Sequence, residues 1–355
     1  MIERFLIPLP SLLSRLIWSG LLVIALVGCQ QKPVQTPSAT PPLPTITPLP
    51  AIGTSTPTPY PLGSSQNPLI LGVVAEGNAA DVSSNAETLA AYLSNKTGIT
   101  IQSQISDNYD QLVRGIDQRN VHLAWLPPLT YIIARRLGIV EIGLMTNHFG
   151  VYSYSFQFMA NASSGLTSYY DPNTNKNTAG PETALTQLQG KRPCWVNPQS
   201  IAGYIAPYGL LNQIGLTLED GVVVQSYSAA VRALYIQGIC DVAAVYGSFG
   251  DPRTASAVQK DLPDAMSRVV ILWQSDPIIP NLGLSFSSEL STADRQEIID
   301  ALQEYVKTDE GKAVLSAANN QYDIQDLRIV DDSFYDGLRD LTESAGVQLY
   351  TLIGK

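Results

Sequence analysis

The sequence predicts an α/β protein of two lobes, each a mostly parallel β-sheet flanked by helices. From about residue 69 onward, short apolar runs alternate with segments whose apolar residues recur at helical spacing. This alternation is typical of a parallel sheet with helices on both faces. The stretch 67–355 is also too long for one domain of ordinary size and suits two.

The elements of the first lobe follow from short apolar runs and helical periodicity. Strands are predicted over 69–74, 99–105, 121–126 and 140–145, and helices over 84–94, 109–119 and 129–137. In the second helix Leu112, Val113 and Ile116 face inward, and Asp107 can cap its start.

A second unit begins near Tyr154. The stretch 163–181 is rich in Ser, Thr, Asn, Gly and Tyr and should be a surface excursion. After it, strands are predicted over 192–196, 222–225, 241–246, 269–273 and 282–286, and helices over 200–214 and 227–237. From residue 292 the chain should be mainly helical, because apolar residues again recur along one face.

The N-terminal segment is predicted to be a signal that ends at a lipid attachment site, Cys29. It has a cationic start with Arg4 and Arg15, an apolar stretch over 16–27, and small residues before the cysteine. The alternatives are a secretory signal without lipid and a membrane-spanning helix, but a span needs about 20 apolar residues. The segment resembles bacterial lipoproteins, in which the acylated cysteine becomes the mature N-terminus, so the rest of the chain is expected outside the cytoplasm.

Residues 30–66 are predicted to form an extended tether. Ten prolines lie between Pro33 and Pro61, interleaved with Thr, Ser and Ala. Such a composition cannot bury a core. The chain is therefore expected to comprise a signal (1–29), a tether (30–66) and a folded body (67–355).

The formal net charge of -10 argues against nucleic acid as a partner. Nucleic-acid binding depends on clustered Lys and Arg. A single small anion remains compatible with this charge, since backbone N–H groups at helix starts bind anions without a positive side chain.

The cysteines suggest one disulfide. Of three in the chain, Cys194 and Cys240 remain if Cys29 carries lipid. Each precedes an apolar run typical of a buried strand, and neighbouring parallel strands would bring the two together. A disulfide suits an oxidising compartment, and two buried free thiols are the alternative.

Catalysis has little support in the sequence. Its two histidines, His122 and His148, stand in no metal-ligand spacing, and no nucleophile-elbow, phosphate-binding-loop or dinucleotide-binding motif occurs in a suitable context. His122 lies at the start of a strand, where a structural role is expected. We therefore predict a protein with no enzymatic activity, cofactor or metal.

The most suggestive site is the run 194–204, in which a strand passes through a turn into a helix. The free N–H groups of the first helical turn, with the Ser200 hydroxyl beside them, can cradle an anion. Plain capping is the alternative, in which Ser200 satisfies those same N–H groups. Two α/β lobes face each other across a crevice at the carboxyl ends of their strands, the usual location of a ligand.

Several motifs resemble the phosphate/phosphite/phosphonate-binding proteins of ABC importers. They occur in that family's order between about residues 69 and 315: Asn108 with Tyr109, Ala124 with Trp125, Tyr154 with Ser155, and the runs 194–204, 241–244 and 275–280. The resemblance implies the type II periplasmic-binding-protein fold, which closes on a ligand and presents it to a membrane permease. It also implies a first lobe over 67–155, completed by 284–355, and a second lobe over 156–283.

The resemblance further implies a set of residues that line the cleft. Those from the first lobe and the hinge are Tyr109, Trp125, Pro127, Tyr131 and Ser155. Those from the second lobe are Gln199, Ser200, Ile201 and Ala202 at the anion loop, with Ser228 and Tyr246 facing it.

The anion loop departs from the family pattern. Phosphonate binders typically read Ser-Thr-Ser-Gly there, whereas 200–203 read Ser-Ile-Ala-Gly, so two hydroxyl donors are missing. Each hydrogen bond to a charged group contributes about 1.5–3 kcal/mol, so affinity for a phosphorus oxyanion should fall. Tyr246 and Asn281 stand near places where aminoalkylphosphonate binders use carboxylates, so a ligand without an amine is expected.

We predict a lipid-anchored, monomeric solute-binding protein that captures phosphate, phosphite or a phosphonate without an amine and delivers it to an ABC permease. Two alternatives stay open. The same clamp could signal ligand occupancy to a membrane kinase. The aromatic residues of the cleft could instead hold a non-phosphorus molecule by stacking and hydroxyl bonds.

Overall fold

The structure, a computed structural model, describes residues 60–347. Its strands are β1 (Leu69–Val74), β2 (Ile101–Ser106), β3 (Leu123–Leu126), β4 (Val140–Asn147), β5 (Ser153–Asn161), β6 (Tyr170–Asp171), β7 (Lys176–Asn177), β8 (Pro193–Trp195), β9 (Val222–Val223), β10 (Val242–Gly247), β11 (Val269–Gln274), β12 (Ile279–Pro280), β13 (Gly283–Ser287) and β14 (Asp326–Ile329). Its α-helices are α1 (Ala79–Thr97), α2 (Tyr109–Asp117), α3 (Pro128–Arg136), α4 (Pro181–Ala184), α5 (Ala206–Gln213), α6 (Tyr227–Ile236), α7 (Ser256–Gln259), α8 (Ala265–Arg268), α9 (Thr292–Tyr305), α10 (Asp309–Ala318) and α11 (Asp336–Ser344).

The first lobe is built on a six-stranded sheet in the order β14-β4-β13-β3-β1-β2. β1 pairs in parallel with β2 and β3, as strands joined by crossover helices do. Alternate residues of β1 face two different cores. Leu69, Leu71 and Val73 pack with α1, α9 and α10, whereas Val74 packs with α2 and α3. Helices therefore cover both faces, as predicted.

The second lobe has a six-stranded sheet, in which five strands follow the order β11-β5-β10-β8-β9 and β12 pairs with the start of β5. β8 is parallel to β9 and β10. The predicted surface excursion contains the β6–β7 hairpin, a separate two-stranded sheet.

Both sheets are mixed rather than mostly parallel, which corrects one detail of the predicted fold. In the first lobe, β13 inserts antiparallel between β3 and β4, and β14 adds an antiparallel edge. In the second lobe, β5 is antiparallel to both β10 and β11. The direction of these strands depends on how the chain crosses between lobes. Local apolar patterning is the same for either direction and does not encode it.

The pairing of Cys194 with Cys240 is confirmed. Their sulfurs form a disulfide with the Cα atoms 5.6 Å apart. β8 and β10 are parallel neighbours, with Cys194 opposite Ala243, so the expected juxtaposition of the two strand starts is present. Within residues 60–347, no helix has the length and apolar character needed to cross a bilayer.

Residues 60–66, predicted as the end of the tether, form a turn on the first lobe. The N–H of Gly63 donates to the carbonyl of Asn67 (2.7 Å), and the N–H of Thr100 donates to the carbonyl of Gly63 (2.8 Å). The folded body therefore includes residue 63. The predicted signal with Cys29 and the tether up to residue 59 lie outside the described residues.

The C-terminal helix α11 packs on the second lobe, although its segment was predicted to belong to the first. A Cβ added at Gly209 of α5 would lie 2.0 Å from the carbonyl oxygen of Leu341, so the two helices approach closely. The Asn212 amide donates to the carbonyl of Ser344 at 3.0 Å. The segment thus links the lobes on the side of α5.

Two helix boundaries differ from prediction for local reasons. α1 begins at Ala79 rather than 84, because the Asn78 side chain accepts the N–H of Asp81 and caps a first turn that carries few apolar residues. The predicted helix 200–214 starts with a π-helical segment, Ile201–Ile205, and continues as α5. Ser200 is its N-cap.

Candidate functional site

Two adjoining cavities lie between the lobes. We call the first the aromatic chamber; its volume is about 440 Å³. The residues that characterise it are aromatic and come from both lobes and the hinge: Tyr109, Trp125, His148, Tyr154, Phe249 and Tyr322. Its polar residues are Glu76, Asn281, Asn319 and Asn320.

We call the second the helix-start cavity; its volume is about 510 Å³. It lies where three helical segments begin. Asn108 and Tyr109 start α2, Leu129 and Thr130 belong to the first turn of α3, and Ile201 starts the π-helical segment. The two cavities share Val74, Glu76, Tyr109 and Pro127, so they form one continuous cleft.

Five of the predicted cleft residues line these cavities. Tyr109 and Pro127 line both, Trp125 lines the aromatic chamber, and Gln199 with Ile201 lines the helix-start cavity. They meet because β1 and β3 end at the cleft, and because the turn after β8 brings the second lobe to the same place. This arrangement agrees with ligand sites at the carboxyl ends of strands.

The Ser200 side chain lies beside the cavity and acts as a helix cap. Its Oγ accepts the N–H of Gly203 at 3.1 Å and lies 2.9 Å from the Tyr227 hydroxyl. Ala202, two residues further along the chain, is fully buried. Since a hydroxyl can accept and donate at once, capping and ligand binding by Ser200 are compatible.

Tyr131 is a correction to the predicted site, because the structure places it in the core. Its side chain is fully buried, its ring centroid lies 4.1 Å from that of Tyr335, and its hydroxyl donates to Asp332 at 2.7 Å. The start of α3 faces the cleft, but Tyr131 is one position past the lining residue Thr130. A helix turns by about 100° per residue, so Tyr131 points elsewhere.

Three further predicted residues lie behind the cleft surface. Ser155 is buried in β5 and shares a 2.7 Å hydrogen bond with Ser248. Tyr246 stacks on the chamber residue Phe249, with centroids 4.7 Å apart. Ser228 is half-buried in the first turn of α6 and lines neither cavity.

Trp125 carries a hydrogen-bond donor with no protein partner. The side chain is 2% exposed, and its indole Nε1 is buried without a hydrogen bond to any described residue. A buried donor left unpaired costs about 1–3 kcal/mol. Because Trp125 lines the aromatic chamber, a solute oxygen could supply the missing acceptor.

Asn320 and Glu76, which the sequence reading did not place in the cleft, are joined at its wall. The Asn320 side chain accepts the N–H of Glu76 at 2.7 Å and donates to the carbonyl of Val74 at 2.9 Å. Asn320 is also one of the few non-glycine residues with left-handed backbone (φ 57°). Glu76 could have been found from sequence, since it follows the carboxyl end of the first strand.

His148 and Tyr322 form a stacked pair in the chamber wall. Their ring centroids lie 4.0 Å apart, and His148 Nδ1 lies 2.8 Å from the carbonyl oxygen of Asp323. A carbonyl only accepts, so Nδ1 carries a hydrogen. Tyr322 lies in a turn after α10, where no sequence pattern signalled a site.

The electrostatics of the cleft come from carboxylates and buried phenols. Glu76 lines both cavities and Asp107 lines the helix-start cavity, and among the described lining residues of the two cavities there is no Lys or Arg. Burial, and secondarily the Glu76 carboxylate, raises the pKa of Tyr109. Burial also raises the pKa of Tyr322 to about 12. These phenols are therefore neutral hydrogen-bond donors at physiological pH.

Comparison with known proteins identifies the family. The family model described as "ABC transporter, phosphonate, periplasmic substrate-binding protein" matches residues 71–335, well over half of the chain. The chain belongs to this family. The resemblance predicted from sequence is confirmed, and the fold is the two-lobed fold of periplasmic binding proteins. The family consists of substrate-binding proteins and not of enzymes, as predicted.

Two relatives illustrate the range of similarity. The phosphate-import protein PhnD of Mycolicibacterium smegmatis is 25% identical over 168 residues, which are 46% of this chain and 46% of that protein. The chain thus matches about half the length of that curated relative. XAC2383 from Xanthomonas citri, solved with chloride and with ATP, has a TM-score of 0.55 and 16% or 15% identity, covering 80% of this chain and 98% of its own. At such identity the similarity shows the fold.

Within the described residues, no group of three or more His, Cys, Asp or Glu side chains is arranged to hold a metal ion. His122, expected to be structural, accepts the backbone N–H of Ile70 through Nδ1 at 3.0 Å. It therefore joins β1 to the residue before β3.

Proposed function

We propose that this protein is a lipid-anchored, extracytoplasmic solute-binding protein that captures a phosphorus oxyanion and delivers it to an ABC permease. The observation that carries the proposal is the helix-start cavity, in which helical segments of both lobes begin around one space. Family membership supports the transport role. The candidate solutes are phosphate, phosphite and phosphonates.

Helix starts attract anions because their first N–H groups have no partner within the helix and the helix dipole is positive there. α2 and α3 come from the first lobe, and the π-helical segment comes from the second. An oxyanion that bonds to both sides favours the closed arrangement of the lobes. Binding and closure are then one event, which a permease can detect.

The lipid anchor at Cys29 and the tether would hold the binding protein near its permease. A tethered partner acts at an effective concentration set by the tether. We expect Cys29→Ala to release the protein from the membrane fraction, with loss of fatty-acid labelling. Retention of the label in this variant would contradict lipidation at Cys29.

The ligand class is tested by thermal unfolding of the full-length protein with phosphate, phosphite, methylphosphonate and sulfate. A solute at about 100 times its dissociation constant adds about 2.7 kcal/mol to the free energy of unfolding. A stabilisation by a phosphorus oxyanion is the expected result. Stabilisation by none of them, alongside a clear effect of an unrelated metabolite, would reject the ligand class and leave the fold unchanged.

The site is tested by Ser200→Ala, with Ser291→Ala as the matched control. Both serines cap a helix, Ser200 by accepting the N–H of Gly203 and Ser291 by accepting that of Asp294 at 3.0 Å. Both variants should lose about 0.5–2 kcal/mol of stability. Only Ser200→Ala should weaken binding of the oxyanion, and equal affinities would remove Ser200 from the site.

A non-phosphorus solute is the second candidate, favoured by the aromatic chamber. The chamber has more aromatic residues than a small tetrahedral oxyanion would contact. Aromatic side chains bind apolar or planar molecules well. The unrelated metabolites in the same thermal screen decide between the two.

A further inference from the structure

We infer that the solute is a zwitterion, with its phosphorus oxyanion in the helix-start cavity and a quaternary ammonium group in the aromatic chamber. This inference rests on the proposed function and adds the class of substituent on the phosphorus group. It comes from three properties of the cleft: its charge, its aromatic wall and the engagement of its polar groups.

The charge of the cleft is unfavourable for a solute that is only anionic. Glu76 and Asp107 contribute carboxylates, and the described residues of both cavities include no Lys or Arg that would offset them. A carboxylate near a bound oxyanion repels it. A positive group on the solute reverses the sign of the interaction with Glu76.

The aromatic wall suits a large, weakly hydrated cation. Tyr109, Trp125, Tyr154, Phe249 and Tyr322 line the chamber that also contains Glu76. Aromatic rings attract cations through their quadrupole, and cages of such rings recognise quaternary ammonium groups. A carboxylate beside the rings adds a direct charge interaction.

Part of the polar surface of the chamber is engaged within the protein, which favours an alkylated ammonium over a primary one. The Asn320 carbonyl oxygen, an acceptor that a primary ammonium could use, already accepts the N–H of Glu76. A primary ammonium has three N–H donors to satisfy. A quaternary ammonium has none.

The position of Glu76 allows a cationic group on the solute, although Tyr246 and Asn281 stand near places where aminoalkylphosphonate binders use carboxylates. Here the carboxylate comes from the end of β1 and lines the wall common to both cavities. One molecule can therefore place its anion on one side of Glu76 and its cation on the other.

The test compares phosphocholine with neohexyl phosphate, in which carbon replaces the quaternary nitrogen and the shape is kept. Dissociation constants are measured by calorimetry on the full-length protein in detergent, together with phosphate, methylphosphonate and choline. We expect phosphocholine to bind about tenfold or more tightly than neohexyl phosphate.

Glu76→Gln should reduce that ratio, whereas Glu87→Gln, on the exposed side of α1, should not. Both substitutions remove one carboxylate from the first lobe, and both residues are exposed, so folding should be preserved. Thermal unfolding of each variant checks this point.

Equal binding of phosphocholine and neohexyl phosphate would overturn the inference while leaving the proposed oxyanion site intact. Choline binding as tightly as phosphocholine would also overturn it, because the anion would then contribute nothing. Failure of every phosphorus compound to bind would reject the proposed function itself.

Discussion

Tyr109 and Tyr131 were both predicted to line the cleft, and replacing each with Phe separates a binding role from a structural one. The Tyr109 side chain is half-buried and lines both cavities. The Tyr131 hydroxyl is buried and donates to Asp332. The two substitutions remove the same atom from different surroundings.

Tyr131→Phe should cost stability without changing affinity. A hydrogen bond to a charged group contributes about 1.5–3 kcal/mol. Asp332 keeps the 2.9 Å contact with Arg339, and the ring of residue 131 can still pack on Tyr335. We therefore expect the free energy of unfolding to fall by about 1.5 kcal/mol, the lower end of this range. For a body of this size the midpoint of thermal unfolding should fall by roughly 2–3 °C.

Tyr109→Phe should leave stability within about 0.5 kcal/mol. If its hydroxyl donates to the oxyanion, the lost bond weakens binding by roughly 10- to 150-fold. Calorimetry with the best oxyanion from the thermal screen, and thermal unfolding without ligand, measure the two effects. Weaker binding by Tyr131→Phe at unchanged stability, or unchanged binding by Tyr109→Phe, would refute this assignment.

Three further predictions concern the disulfide, the unpaired indole and a buried histidine. Replacing Cys194 and Cys240 by Ser should lower the free energy of unfolding by about 4 kcal/mol, given the 46-residue separation; a loss below about 1 kcal/mol in urea unfolding would contradict a stabilising bond. Trp125→Phe should weaken binding of a solute that occupies the aromatic chamber, with little loss of stability, because the Nε1 is unpaired within the described residues. Trp273→Phe should lower stability without changing affinity, because the Trp273 Nε1 donates to a backbone carbonyl at 3.2 Å. Equal changes of affinity and stability in the two variants would contradict this prediction. Burial lowers the pKa of His122 in the folded protein. As the pH falls, the unfolded chain therefore takes up a proton at His122 before the folded protein does. The contribution of neutral His122 to the free energy of unfolding is present above about pH 6.5 and is lost as the pH falls toward the pKa of the folded state. In His122→Gln, the free energy of unfolding, measured with urea, should change less with pH between about pH 8 and 5 than in the unsubstituted protein. The same pH dependence in both proteins would contradict this prediction.

Much of the fold could be predicted because apolar runs and helical periodicity are local signals. The parallel strands β1, β2 and β3, the alternating helices, and the pairing of Cys194 with Cys240 all follow from such signals. β5 was not predicted as a strand, and the antiparallel direction of β13 was missed, since β13 follows a crossing between lobes. The same apolar run serves a parallel or an antiparallel neighbour.

The candidate site was predicted best where a residue follows directly on a strand or starts a helix. Tyr109, Pro127 and Ile201 hold such positions, Trp125 lies near the end of β3, and all four line the cleft. Tyr131 was misplaced because one residue along a helix changes the direction of the side chain. His148, Phe249 and Tyr322 escaped notice as cleft residues because they come from loops that carry no periodic pattern.

By itself, the sequence determined the α/β class, the two-lobed division, the family resemblance and the expectation of a binding protein rather than an enzyme. These properties depend on patterns that recur over a few residues and on motifs in a fixed order. Only the tertiary structure decided which side chains share the cleft. Glu76, from the end of the first strand, meets Asn320, which lies 244 residues away along the chain. Contacts at such separation arise from the packing of whole elements, and they set the charge and the aromatic character of the cleft on which the choice of solute depends.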